Sequence, residues 1–139
     1  MKTIEALITR AGGIEAVRAN YISLTNEPFM RLVVEVVSGP HPNGSYEISV
    51  AHYGEQNGDA MRDPEILFHV LPQVRPWIWT PLWIQQDYLG SFNVCANVIE
   101  HGLVRITSQR LHDDVSRFSR LWSRNLSQQG FLQAHPVNA

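Results

Sequence analysis

Five carboxylates and one histidine have the side chains best suited to chemistry: Glu55, Asp59, Asp63, Glu65 and Asp87, with His52. Carboxylate oxygens ligate hard divalent cations, and a phosphate-cleaving centre needs two or three of them converging. An imidazole at a strand end near such groups can be tuned as a general base. One reading is therefore a metal-dependent enzyme acting on nucleic acid or nucleotides, with Asp59, Asp63, Glu65 and Asp87 as ligands and His52 as base. The spacing fits no EF-hand loop: Gly58 is present, but the alternating ligands and the terminal Glu are not. Carboxylates also cap turns freely. The single cysteine, Cys95, can form neither an internal disulfide nor half of a zinc knuckle. No Gly-x-Ser-x-Gly elbow, phosphate loop or dinucleotide glycine pattern is present. No catalytic residue, metal or cofactor is assigned.

The same region reads more naturally as a binding surface. The eleven residues Gly54–Pro64 are polar and lie between two alternating segments, Tyr46–Tyr53 and Glu65–Leu71. Taken as a connection, that is long for a hairpin, whose loops usually run to about 2–5 residues. Polar loops on a rigid sheet are where binding concentrates. The candidate contact residues are Tyr53, Glu55, Gln56, Asn57, Asp59, Arg62 and Asp63, joined by Asp87 and Tyr88. A second patch is a stripe of arginines, Arg110, Arg117, Arg120 and Arg124, along the flank of a predicted C-terminal helix. With Trp77, Trp79 and Trp83 as stacking rings, it would suit nucleic acid. The plainer account pairs the arginines locally, for example Arg117 with Asp113, and uses the tryptophans as a lid on the core.

These residues need a scaffold. Ile4, Leu7 and Ile8 predict a first helix over 3–11 with Thr3 as its cap. Ile14, Val17 and Tyr21 predict a second, ending at Asn20. Phe29–Val37 is rich in β-branched residues and reads as a strand buried on both faces for most of its length. Asn43-Gly44 predicts a turn into the strand Tyr46–Tyr53, and Ile66, Phe68 and Val70 mark a third strand. Pro76 and Pro81 point to an edge or extended segment at 72–83. Ser91–Val98 and Leu103–Thr107 read as two more strands about a turn at Glu100-His101-Gly102. Ser108–Gln129 is the clearest helix, with Leu111, Val115, Phe118, Leu121, Trp122 and Leu126 on one arc.

The fold class is accordingly α+β: an antiparallel sheet of about five strands, short N-terminal helices, and a long C-terminal helix packed on the sheet. At 139 residues the chain fits one domain, with a helical segment at 1–27, a core at 28–131 and a frayed tail from 132. A net charge of -2 is neither a basic nucleic-acid coat nor a polyanionic mimic of DNA. The sequence shows no signal peptide and no apolar run near the roughly 20 residues of a membrane span, which predicts a cytoplasmic protein without membrane partners.

The segments PFMRLVVEVV, VAHYGEQNGDAMRDPEILFHV, QQDYLG and WSRNLSQQGF resemble a family of small uncharacterised bacterial proteins common on plasmids, integrative elements and phages. The resemblance runs from Pro28 to Phe131 and rests chiefly on HYGEQNGDAMRDPE. Here Gln86 stands where that family usually has Asn, and Ala60 where it has a larger apolar residue. It implies a setting and no activity: an accessory protein of mobile DNA, where countering host defences, plasmid maintenance and transfer are typical tasks. The expected partner is a host or element-encoded protein, with antagonism of a host defence or regulatory complex as one such role. A non-enzymatic protein-binding role is the first functional expectation.

Overall fold

The computed structural model describes residues 1–136. Helices α1 (Lys2–Arg10) and α2 (Ile14–Ala19) come first, followed by β1 (Ile22–Asn26), β2 (Phe29–Ser38), β3 (Tyr46–Gln56), β4 (Asp59–Leu71) and β5 (Ile78–Gln86). A 3-10 turn, Asp87–Leu89, leads into β6 (Ser91–Val94), β7 (Ala96–Val98) and β8 (Val104–Ile106). Helix α3 (Gln109–Gln128), a 3-10 turn and the short β9 (His135–Pro136) complete the described chain. The main sheet has seven strands in the order β6-β5-β4-β3-β2-β1-β9, and β7-β8 form a separate ribbon. The class is α+β, with more strands than the five expected. Of the additional strands, β1 and β9 are short, the first entered directly from α2 and the second in the stretch expected to be a frayed tail, whereas β5 forms partly from the stretch expected as an edge or extended segment. The rest of that tail lies outside the described residues.

Period-two alternation divides the sheet into a helix-covered face and a second face. Leu32, Val34, Val36, Ile48, Val50, Ile66, Phe68 and Val70 form the core under the helices. Their neighbours Arg31, Glu35 and Val37 are exposed, so β2 is buried on one face only and not on both. Glu35 lies opposite Ser49, which places it in a polar row that the helices never reach. On the second face the β7-β8 ribbon covers Leu67 and Leu82 through Ala96, Val98 and Val104. His69 bonds the Gly102 carbonyl there at 2.7 Å. Cys95 is buried where the chain leaves β6 for β7. Its carbonyl accepts from Thr107 and Ser108, which breaks the single strand expected over 91–98.

β5 is an interior strand despite Pro81, which pairs with Phe68 beside the register shift between Leu67 and Phe68. The three tryptophans separate. Trp77 and Trp79 pack on the helix face, whereas Trp83 joins the cluster under the ribbon. Helix α3 begins at Ser108, whose hydroxyl accepts from the Leu111 N–H at 3.3 Å. It buries Val115, Trp122 and Leu126, while Leu121 is half exposed and lies off the arc assigned to it.

Candidate functional site

The polar stretch Gly54–Pro64 is not a loop. β3 and β4 continue through it as paired strands, Tyr53 opposite Arg62, Gly54 opposite Met61, Glu55 opposite Ala60 and Gln56 opposite Asp59. Asn57 and Gly58 close the hairpin with φ of 53° and 84°. Two successive positive φ angles are what a two-residue hairpin turn needs, and Asn-Gly is the pair that tolerates them. That dipeptide is a stronger turn signal than the length of the polar run. A register shift between Ala51 and Tyr53 separates this outer arm from the buried inner hairpin.

The arm is held at its base by Arg62. Its backbone N–H donates to Asp87 Oδ2 at 2.8 Å, its Nε to the same oxygen at 3.0 Å, and its guanidinium lies 3.5 Å from Glu65. Gln85 Nε2 donates to Asp87 Oδ1 at 3.0 Å, and Ser49 donates to Glu65 Oε2 at 2.6 Å. These donors, the Arg62 backbone first, hold the Asp87 carboxyl below the usual carboxylate range. Beside them the Tyr53 ring carries Arg31 at 5.5 Å, and burial followed by the Glu65 charge pushes its phenol up. This clasp ties the 3-10 turn after β5 to the start of β4.

Tyr88 lies on the other side of the arm, its hydroxyl 3.3 Å from the Glu55 carbonyl. Gly54 permits that placement: a Cβ there would come 2.6 Å from the Tyr88 hydroxyl oxygen and 3.2 Å from Met30 sulfur. Met30 and Tyr88, both against Gly54, are exposed apolar groups, as are their chain neighbours Phe29, whose ring centroid lies 6.3 Å from that of Phe131, and Leu89. Sequence reasoning missed Phe29, Met30, Met61 and Leu89. The Asn57-Gly58 turn would have revealed the register that sets Met61 beside Gly54.

The predicted site residues lie on the arm or, for Asp87 and Tyr88, on the 3-10 turn against it, and they do not share a pocket. Glu55, Gln56, Asn57 and Asp59 are exposed at its tip, and neither their side chains nor that of Asp63 have a partner among the described residues. Tyr53, Arg62 and Asp87 belong to the clasp. The metal reading finds no support in this geometry. Among the described residues no group of three His, Cys, Asp or Glu side chains could hold a metal ion, and Glu65 and Asp87 both face Arg62. His52 points away from them into the core, 5.5 Å from both Trp122 and Phe131. Its Nε2 is buried without a partner, and burial lowers its pKa to about 4.

The arginine stripe divides. Arg117 pairs with Asp114 and not with Asp113, whose carboxylate is taken by His112 and Gln109. Arg110 lies 3.9 Å from the same Asp114. Arg120 and Arg124 have no ion pair among the described residues and line a cleft with Trp77 and Trp79.

This chain belongs to the family described as a domain of unknown function (DUF6908), whose model matches residues 2–132. The matched span takes in α1 and α2 as well as the segments from Pro28 onward. No curated protein and no solved structure matches the chain. No helix of the described residues is long and apolar enough to cross a membrane.

Proposed function

We propose that this member of the family is a non-enzymatic protein-binding module and that the β3-β4 arm is its contact surface. One observation carries the reading. The β3-β4 ladder, braced at its base by Arg62 and Asp87, carries unpaired Glu55, Asp59 and Asp63, with exposed Met30 and Tyr88 against Gly54. An apolar centre with a charged rim is the common anatomy of a protein interface, and aromatic and Met side chains are enriched at its core. The partner should carry a basic rim complementary to these carboxylates. The HYGEQNGDAMRDPE segment lies mostly on this arm, and its resemblance to proteins of plasmids, integrative elements and phages supplies the proposed setting. In that setting the module is an accessory of a mobile element acting on a host defence or regulatory complex.

The test compares wild-type protein with the triple variant Glu55→Lys/Asp59→Lys/Tyr88→Ala as bait in a bacterial host lysate. Wild type should retain a stoichiometric protein partner that the variant loses while keeping its fold by circular dichroism. Recovery of nothing, or of the same proteins by both baits, would remove the arm as an interface.

A further inference from the structure

We infer that the cleft between α1, α3 and the start of β5 binds single-stranded nucleic acid, with phosphates on Arg120, Arg124 and Lys2 and a base against Trp77. This site is separate from the arm and is argued from different residues.

Two adjoining cavities of about 560 and 500 Å³ share Trp77, Trp79, Arg120 and Met1. Together they form a trough along α3. Its cations are Lys2, Arg117, Arg120 and Arg124, against the carboxylates Glu5 and Asp113. Asp113 is engaged by His112 at 3.0 Å and Arg117 by Asp114, which leaves Arg120 and Arg124 uncommitted. A chain with net charge -2 thus concentrates unpaired positive charge in one concave place. Four residues along a helix advance about 6 Å, so Arg120 and Arg124 present two separated anchors on one side of the trough.

The opposite wall is aromatic. Trp77 and Trp79 stack with ring centroids 6.2 Å apart, and Trp79 meets Phe68 edge-on, so the pair is a rigid platform. Both indole N–H groups are buried without an acceptor. Those N–H atoms are closed to solvent, so the pair offers a ligand ring surface and no donor. Guanidinium groups facing a ring platform are how single strands are held without sequence readout: charge follows the backbone and rings take unpaired bases. A duplex hides its base faces, and a lone nucleotide would fill one of the two cavities and leave the other unused.

The test is anisotropy of a labelled oligothymidylate titrated with the full chain between 50 and 200 mM salt. Binding should weaken with salt, with a log–log slope near −2, about 0.7 for each of three neutralised phosphates. Arg120→Glu/Arg124→Glu should weaken binding at least ~10-fold, and Trp77→Ala at least ~5-fold, the low end of a lost base stack. Arg105→Glu, which removes an exposed arginine outside the trough, should bind as wild type does. A flat salt response, unchanged binding by the double arginine variant, equal affinity for duplex of the same length, or equally effective displacement by poly-glutamate would each overturn the inference. The last result would assign the trough to an acidic polypeptide.

Discussion

The two halves of the β3-β4 hairpin share one hydrogen-bonded ladder and have opposite surroundings. In the inner half, Ile48, Val50, Ile66, Phe68 and Val70 are closed off by helices on one face, and Leu67 by the ribbon on the other. In the outer half, residues 55–60 are all exposed. The polar groups follow the same division. His52 packs among aromatic rings with a buried, unsatisfied ring nitrogen, whereas Arg62, on the partner strand opposite Tyr53, has carboxylate partners on two sides. Burial of apolar surface fixes the fold in the inner half. The outer half inherits its strand geometry from that ladder and is free to use its side chains on something else. Stability and recognition should therefore separate along a single pair of strands.

The largest expected effect lies in the inner half. Phe68 is 1% exposed and meets Trp79 edge-on at 5.3 Å. Phe68→Ala should cost about 3–5 kcal/mol by denaturant titration, because the rigid wall cannot collapse into the cavity. Glu55→Ala at the tip should stay within about 0.5 kcal/mol of wild type. Similar losses at both positions would mean the arm is part of the folding core and the division is false.

Next is a pH effect that belongs to the inner half alone. His52 titrates at about 4 in the folded protein, against 6.5 when solvated. Between those values the unfolded chain binds the extra proton, so stability is full above about pH 6.5 and falls as pH drops toward 4. The loss is about 3 kcal/mol at 1.36 kcal/mol per unit. His52→Leu should flatten that part of the stability–pH curve. An unchanged acid slope in the variant would show that His52 is not the buried neutral group described.

The inner half was legible in the sequence because alternation and β-branched residues report burial directly: Ile48/Val50/His52 and Ile66/Phe68/Val70 fall on the faces expected of them. The outer half was misread for a physical reason. A strand exposed on both faces shows no alternation, so Gly54–Pro64 looks like loop, and only Asn57-Gly58 marks the turn. Arg62 illustrates the limit further. Its charge suggested a contact residue, but its partner Asp87 is 25 positions away and joins it only through the pairing of β4 with β5. Leu121 belongs to the apolar arc predicted for α3, yet it is 50% exposed. The division of the arginine stripe likewise depends on which face of α3 meets α1 and β5, which composition and spacing do not set.

A smaller effect should come from Gly54, where the outer arm meets Tyr88. Gly54→Ala puts a methyl 2.6 Å from the Tyr88 hydroxyl oxygen, and the ring must swing aside, giving up its contact with the Glu55 carbonyl. The cost to stability should be about 1 kcal/mol, since the displaced group is the exposed end of one side chain. The apolar strip proposed for partner binding should nevertheless be rearranged. An altered Tyr88 environment in NMR spectra with a nearly unchanged denaturation midpoint would sharpen the contrast. A large loss of stability would blur it.

The smallest effect is expected at the clasp, and it separates side-chain from backbone support. Arg62 is partly exposed and its pairs with Asp87 and Glu65 are screened by solvent, so Arg62→Ala should cost no more than about 1 kcal/mol. Its clearer mark is on the Asp87 carboxyl. The first cause of that lowered pKa is the backbone N–H of residue 62, which the substitution leaves in place, and the second is the guanidinium, which it removes. The Asp87 carboxyl followed by NMR should therefore titrate higher in Arg62→Ala and still below an ordinary aspartate. Because the folded value is depressed, the stability this group contributes is present above the unfolded carboxylate range and disappears as pH falls through the folded value. That is the acid side of the window in which His52 acts, so the two halves of the hairpin should lose their electrostatic contributions in separate steps, His52 first. A full return of Asp87 to the ordinary value would mean that the strand backbone at residue 62 moves with its side chain, and that the arm is fastened by the arginine and not by the ladder beneath it.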